Sequence, residues 1–207
     1  MRDEELARQV AEDVSAPGRG VLPAGKAYVE SSMDARVQDL LAKEGWQSGE
    51  PWTLLRRDLA EPVQDPGVHV EVTGPEQADE WAAVLQASFD RSTFSGAHWH
   101  ATAAGAPYAD ARCLTVRDER GEAVAVAIVW AAGEGRIGLI EPMGVHRAHR
   151  GQGYGRAVTI AAARALRELG SSSMVAYCES ANVGAVATYR SAGMEQLSER
   201  RDISRNA

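Results

Sequence analysis

Apolar and polar positions in the second part of the chain switch repeatedly between two periods, and the switches mark its elements. Val68 to Val72 alternates with period two, as a half-buried strand does, and Pro75 to Phe89 carries apolar residues at helical spacing. Asp90 to Asp110 keeps neither period and reads as loop-rich. Two strand patterns, Arg112 to Arg117 and Ala123 to Trp130, flank the turn Asp118-Glu119-Arg120-Gly121 and predict a hairpin. A further strand, Arg136 to Val145, leads through a glycine-rich loop into a helix over Ala157 to Leu169 that ends at Gly170. Strand Met174 to Cys178, helix Val183 to Ser191 closed by Gly193, and a last strand near Leu197 to Ile203 complete the series. Strands joined by helical crossovers predict an α/β sheet, parallel at least around the loop.

Ahead of this series, Glu61-Pro62-Val63-Gln64-Asp65-Pro66-Gly67 mixes proline and glycine with polar residues and reads as a linker over 61–67. The segment before it echoes the end of the chain. Ala27-Tyr28-Val29-Glu30-Ser31 matches Ala176-Tyr177-Cys178-Glu179-Ser180 at four of five positions. In each copy a short helical pattern follows, closed by Gly45-Trp46 or Gly193-Met194, and then comes Arg56-Arg57-Asp58-Leu59 or Arg200-Arg201-Asp202-Ile203. Order and spacing agree as they do in a duplicated unit, so residues 1–60 read as the tail of a first, incomplete copy of the domain at 68–207. Met1 falls where that copy's loop-following helix is already under way, which leaves it no glycine loop and no second catalytic site. Whether Met1 is the natural start stays open.

A chain of 207 residues suits one well-buried core with a small appendage. Its formal net charge of -7 opposes a general nucleic-acid partner, which needs a cationic surface to displace counterions. No apolar run approaches the roughly 20 residues that cross a bilayer, and the acidic first residues are unlike a signal peptide, so no membrane partner and a cytoplasmic location are expected. Cys113 and Cys178 lie in apolar strand patterns and read as buried, reduced thiols.

The chemistry concentrates in Arg150-Gly151-Gln152-Gly153-Tyr154-Gly155, between a predicted strand and a predicted helix. A helix N-terminus exposes unpaired N–H groups, and glycines let an anion approach them. A dinucleotide fingerprint would require a third glycine at Arg156, and a nucleoside-triphosphatase loop would require Gly-Lys-Ser/Thr after the loop, where Arg156-Ala157 follows Gly155. Both patterns fail, leaving Arg-x-x-Gly-x-Gly.

With Val145-His146 before the loop, and Asn182, Ala185, Tyr189 and Gly193-Met194 after it, the sequence resembles the GCN5-related N-acetyltransferase (GNAT) family over residues 68–207. The family's usual proline after the histidine is replaced by Arg147. The resemblance implies an α/β GNAT fold, a central mixed sheet splayed around acyl-CoA and flanked by helices, plus the partial N-terminal lobe. It implies acetyl-CoA as acyl donor, no metal, and transfer to an amine by direct attack in a ternary complex. Backbone groups near Met143 and Val145 would hold the pantetheine arm, and Arg150, Gly151, Gln152, Gly153, Tyr154, Gly155 and Arg156 would take the pyrophosphate. Asn182 would bond the pantetheine or a water beside it.

By the same resemblance Tyr189 stands where the general acid protonates the departing thiolate. Glu141 is the candidate base, because a carboxylate within an apolar strand is costly unless it faces a polar cleft; its neighbour Pro142 also allows a purely structural role at a bend. His98, Trp99 and His100 fall where the family builds its acceptor site. His146 and His149 lack companions at ligand spacing. The acceptor, a small-molecule amine or a peptide amine, is not fixed by sequence, and a homodimer is left open. Two alternatives stand beside the enzyme: a non-catalytic acyl-CoA sensor of the same fold, and nucleic-acid binding through Arg147 to Arg156, which the acidic total weakens.

Overall fold

The computed structural model describes residues 2–19, 21–32 and 35–206. Met1, at which the natural start was left open, lies outside them. In chain order the first elements are α1 (Arg2–Ser15), β1 (Ala27–Ser32), α2 (Arg36–Lys43), β2 (Gln47–Asp58), β3 (His69–Val72), α3 (Ala78–Ser88) and α4 (Gly96–Ala103). They are followed by β4 (Ala111–Arg117), β5 (Ala123–Trp130), β6 (Ile137–Val145), α5 (Tyr154–Glu168), β7 (Ser173–Glu179), α6 (Val183–Ser191) and β8 (Glu195–Arg205). Contacts divide the chain into a larger unit, Leu55–Ala176 with Ala187–Gln196, and a smaller one, Met1–Leu54 with Tyr177–Val186 and Leu197–Ala207.

The predicted hairpin forms the middle of the larger unit's sheet, where strands run in the order β7-β6-β5-β4-β3. Neighbours are antiparallel from β3 to β6, and β7 lies parallel to β6 through Ile137↔Ser173 to Leu139↔Val175. β5 is apolar at every position because both of its faces are covered. Val126 and Ile128 join Trp81, Leu85 and Trp99 of the helices α3 and α4 in one core cluster, while α5 also packs on β5. Residues Val124 to Val129 are all within 1% of complete burial. Trp81 is fully buried, and its indole N–H donates to the Leu114 carbonyl at 3.2 Å, which satisfies its one polar atom.

The smaller unit places its strands in the order β1-β8-β2-β7. β1 is antiparallel to β8 from Ala27↔Arg205 to Ser32↔Arg200. Ala11 and Val14 of α1, Leu41 of α2, Trp46, Ala27 and Ile203 make its core. Arg205 lies over the Trp46 ring at 5.1 Å and donates to the carbonyls of Ser15, Pro23 and Gly25. Ser180 N–H donates to the Pro51 carbonyl at 2.8 Å, bringing the end of β7 beside β2.

Three features differ from the sequence expectations. Within Asp90 to Asp110 lie the helix α4 and a 3-10 turn, Ala106–Asp110. Ser95 caps α4, accepting from the His98 N–H, and buried Trp99 anchors it, so tertiary packing supports a helix too short to show a period. The helix after the glycine loop starts at Tyr154 rather than Ala157, because Gly153 is itself the N-cap. The last strand runs from Glu195 to Arg205, beyond the expected Leu197 to Ile203 at both ends, because it pairs with β1 out to Ala27↔Arg205. Among the described residues no helix is long and apolar enough to cross a membrane.

Arg117 fastens the short edge strand β3: its guanidinium meets Glu71 at 2.6 Å and Glu80 of α3 at 2.7 Å. The hydrogen bonds from Arg117 hold the Glu80 carboxyl below its ordinary pKa. A folded-state pKa below the unfolded one adds stability that is present above the carboxylate range and lost as pH falls through it. Glu80→Gln is therefore expected to lower stability by less than about 1 kcal/mol at neutral pH, as suits a half-exposed pair. Urea unfolding of both proteins at neutral and acid pH checks this; the difference should vanish in acid.

Candidate active site

The loop after β6 keeps its main-chain donors free by turning its side chains elsewhere. Gly151 and Gly153 have φ of +76° and +87°, values that disfavour any residue with a Cβ. The first hydrogen bond of α5 runs from Ala157 N to Gly153 O at 3.0 Å. From Gly151 to Arg156 no amide N–H has a main-chain acceptor among the described residues. These are the orphan donors of a helix start, gathered at the positive end of its dipole.

The arginines around the loop serve as anchors. Arg150 donates to the Ser88 carbonyl at 2.7 Å and Arg147 to the Ala87 carbonyl at 2.8 Å, both at the C-terminal end of α3 where carbonyls lack helical partners. Arg156 likewise donates to the Ser191 carbonyl at 3.0 Å, at the end of α6. Arg57 reaches the same helix end through Ala192 O at 2.5 Å. Burial, and then the nearby Arg156 charge, lower the Arg57 pKa. Neither Arg57 nor this anchoring use of Arg147, Arg150 and Arg156 was visible in sequence, because nothing local distinguishes an anchoring arginine from a ligand-binding one.

Gly155 draws the other pieces in. A Cβ there would meet Thr188 Cγ2 at 2.8 Å and Val145 Cγ2 at 3.4 Å, so the first turn of α5 sits directly against α6 and the end of β6. Thr188 adjoins Tyr189, which is buried at 5% exposure near the C-terminal end of α6. Gly144 does the same on the other side, where a Cβ would meet Ser88 Oγ at 2.6 Å. The head of α5, Val145 and Thr188 thus share one close junction, with Tyr189 the next residue along α6. Asn182 lies in the smaller unit, and its Oδ1 accepts from Ala185 N at 3.0 Å, capping the start of α6.

Glu141 is exposed on β6, at an irregularity in the ladder. Ala127 pairs with Met143 and Val129 with Ile140, so Glu141 and Pro142 together face the single residue Ile128. This is a β-bulge, and it turns the strand locally and frees the bulged residues from the ladder.

Residues 78–194 match the model of the acetyltransferase (GNAT) family. The chain belongs to this family. Mycothiol acetyltransferase of Segniliparus rotundus is 28% identical to this GNAT chain over 190 residues, covering 83% of the chain and 65% of the relative. The chain thus spans just under two thirds of that relative's length. Among solved structures, a GCN5-related N-acetyltransferase from Sphaerobacter thermophilus superposes with a TM-score of 0.68 at 18% identity, covering 87% of this chain and 60% of that one. Another from Kribbella flavida gives 0.66 at 20% identity, covering 87% and 68% respectively.

The three residues expected at the acceptor site of this GNAT chain all lie on α4 and point to different surroundings. His98 is a capping residue whose Nδ1 lies 2.7 Å from Ser95 Oγ. Trp99, 3% exposed, is part of the core. His100 lines a cleft of about 580 Å³ together with Trp99, Tyr108, Arg112 and Cys113. Burial raises the pKa of the Cys113 thiol, and it raises that of Cys178 as well. With 1% and 7% exposure, both thiols are protonated and screened at neutral pH. A disulfide reagent at neutral pH should label neither cysteine at an appreciable rate in the native protein and both after denaturation. Rapid native labelling of Cys113 would contradict the packing described.

Proposed function

We propose that the chain is an acetyl-CoA-dependent N-acetyltransferase that passes the acetyl group to a primary amine by direct attack. The observation that carries this reading is the set of unpaired amides from Gly151 to Arg156 at the head of α5, packed through Gly155 against Val145 and the turn of α6 that holds Tyr189. Such a set suits a pyrophosphate, which needs several convergent donors and a positive field. Membership of the GNAT family supports the donor and the reaction type.

In the proposed reaction the loop amides hold the pyrophosphate, with Arg150 and Arg156 contributing main-chain groups while their side chains anchor neighbouring helices. Main-chain groups near Met143 and Val145 hold the pantetheine arm and polarise the thioester carbonyl. Asn182 supports the pantetheine. An alkyl ammonium has a pKa near ~10, so the amine must lose a proton as it attacks; Glu141 takes it, directly or through water. The new bond joins nitrogen to the acyl carbon, the carbon–sulfur bond breaks, and Tyr189 protonates the departing thiolate.

The acceptor is an amine on a small molecule or a peptide. The relative named mycothiol acetyltransferase makes mycothiol-related amines the first class to screen. The cleft beside His100 is the proposed acceptor approach. The protein is proposed to work in the cytoplasm. Residues 1–60 are proposed to be a degenerate partial copy of the same fold, a reading supported by the shared order of β1, α2, β2 and β7, α6, β8.

Release of free coenzyme A thiol from acetyl-CoA, followed while amine classes are added, tests the activity; binding without release would favour a sensor. Tyr189→Phe should lower kcat by about 10²-fold or more, the range for a positioned general acid, with little change in acetyl-CoA affinity. Equal turnover would remove that role. Gly153→Ala should act in the opposite sense, weakening acetyl-CoA binding, measured by calorimetry, because φ of +87° would no longer be held.

A further inference from the structure

The bulge that presents Glu141 is held from outside its own strand. Glu141 and Pro142 stand opposite Ile128 alone, and the Glu141 carbonyl finds its partner in the Trp130 indole N–H, at 2.7 Å. Pro142 brings no N–H, so the bulge has one donor fewer with which to fasten itself. A two-for-one register leaves the extra residue without a ladder partner, so its carbonyl is oriented by whatever donor meets it from elsewhere.

Trp130 is itself held. Its ring meets Tyr108 edge-on, centroids 6.4 Å apart, and Tyr108 meets Trp99 edge-on at 5.9 Å. Trp99 is a core residue at 3% exposure, so the series of ring contacts runs from the core to the bulge. A phenylalanine at 130 would keep an aromatic ring but bring no donor to the Glu141 carbonyl, which the indole N–H supplies.

We propose that Trp130 is a positioning residue: by fixing the Glu141 carbonyl plane, it sets the direction in which the Glu141 carboxylate leaves the strand toward the attacking amine. The proposal rests on the reading of Glu141 as the base. A lost or lengthened hydrogen bond here lets the carboxylate wander, and proton transfer is sensitive to displacements of well under an ångström.

The test is a double-mutant cycle on acetyl-CoA consumption, with glucosamine as acceptor and with water as acceptor where glucosamine is not turned over. Trp130→Phe is expected to lower kcat about 3- to 10-fold, the scale of one hydrogen bond, while KM for acetyl-CoA stays within about 2-fold. In a Glu141→Gln background the same change should have no further effect. Trp130 replaced by benzothienylalanine, which keeps the ring shape and loses the N–H, should reproduce the Phe result; it separates the donor from the packing should Phe fold poorly. A slow Glu141→Gln enzyme together with a Trp130→Phe enzyme at the native rate, or additive losses, would overturn the positioning role and leave Glu141 as base. Native turnover in Glu141→Gln, or no turnover of either acceptor by the unaltered protein, would overturn both.

Discussion

A methyl group at residue 155 has nowhere to go, and much of the site depends on that fact. Thr188 and Val145 approach the Gly155 Cα so closely that α5, α6 and β6 share one junction, and the unpaired amides lie immediately before it. Bare donors at a helix head suffice to hold an anion, but acyl transfer would also need them in register with neighbouring elements. One side-chain-free position brings the head of α5 against both β6 and α6. Gly144 repeats the device toward α3, where Ser88 fills the place of a side chain.

The charged residues around this junction act first as fasteners. Arg147 and Arg150 close the end of α3, while Arg57 and Arg156 close the end of α6. Cations at helix C-termini are favourable in themselves, each by about 0.3–1 kcal/mol at exposed sites. The larger effect is geometric, since the side chains of Arg147, Arg150 and Arg156 tie the glycine loop to helices on both sides.

Much of the larger unit was legible in the sequence because its signals are local. One alternating run and several apolar ones marked β3 to β7, the glycine spacing marked the loop, and Gly193 marked the end of α6 at Ser191. The signals that failed were those in which distant residues decide. α4 exists because Trp99 finds a core made by α3, β4 and β5, and no eight-residue window displays that. Tyr189 and Glu141 are candidates from motif position and from a carboxylate in an apolar strand, but the bulge around Glu141 and its bond to Trp130 depend on register, which alternation alone does not specify. The likeness of the strings at Ala27 and Ala176 was visible, whereas the pairing of β1 with β8 was not, because strand partners are chosen across the chain.

That pairing bears on how the protein can be made. The core of the smaller unit joins Ala11 and Val14 to Ile203, and Arg205 fastens the turn after α1. An emerging nascent chain therefore carries α1 and β1 without their partner strand until β8 has left the ribosome. The apolar faces of those first elements are left to chaperones or to transient company in the meantime, and this unit closes only after the whole of the larger unit's sheet has been made.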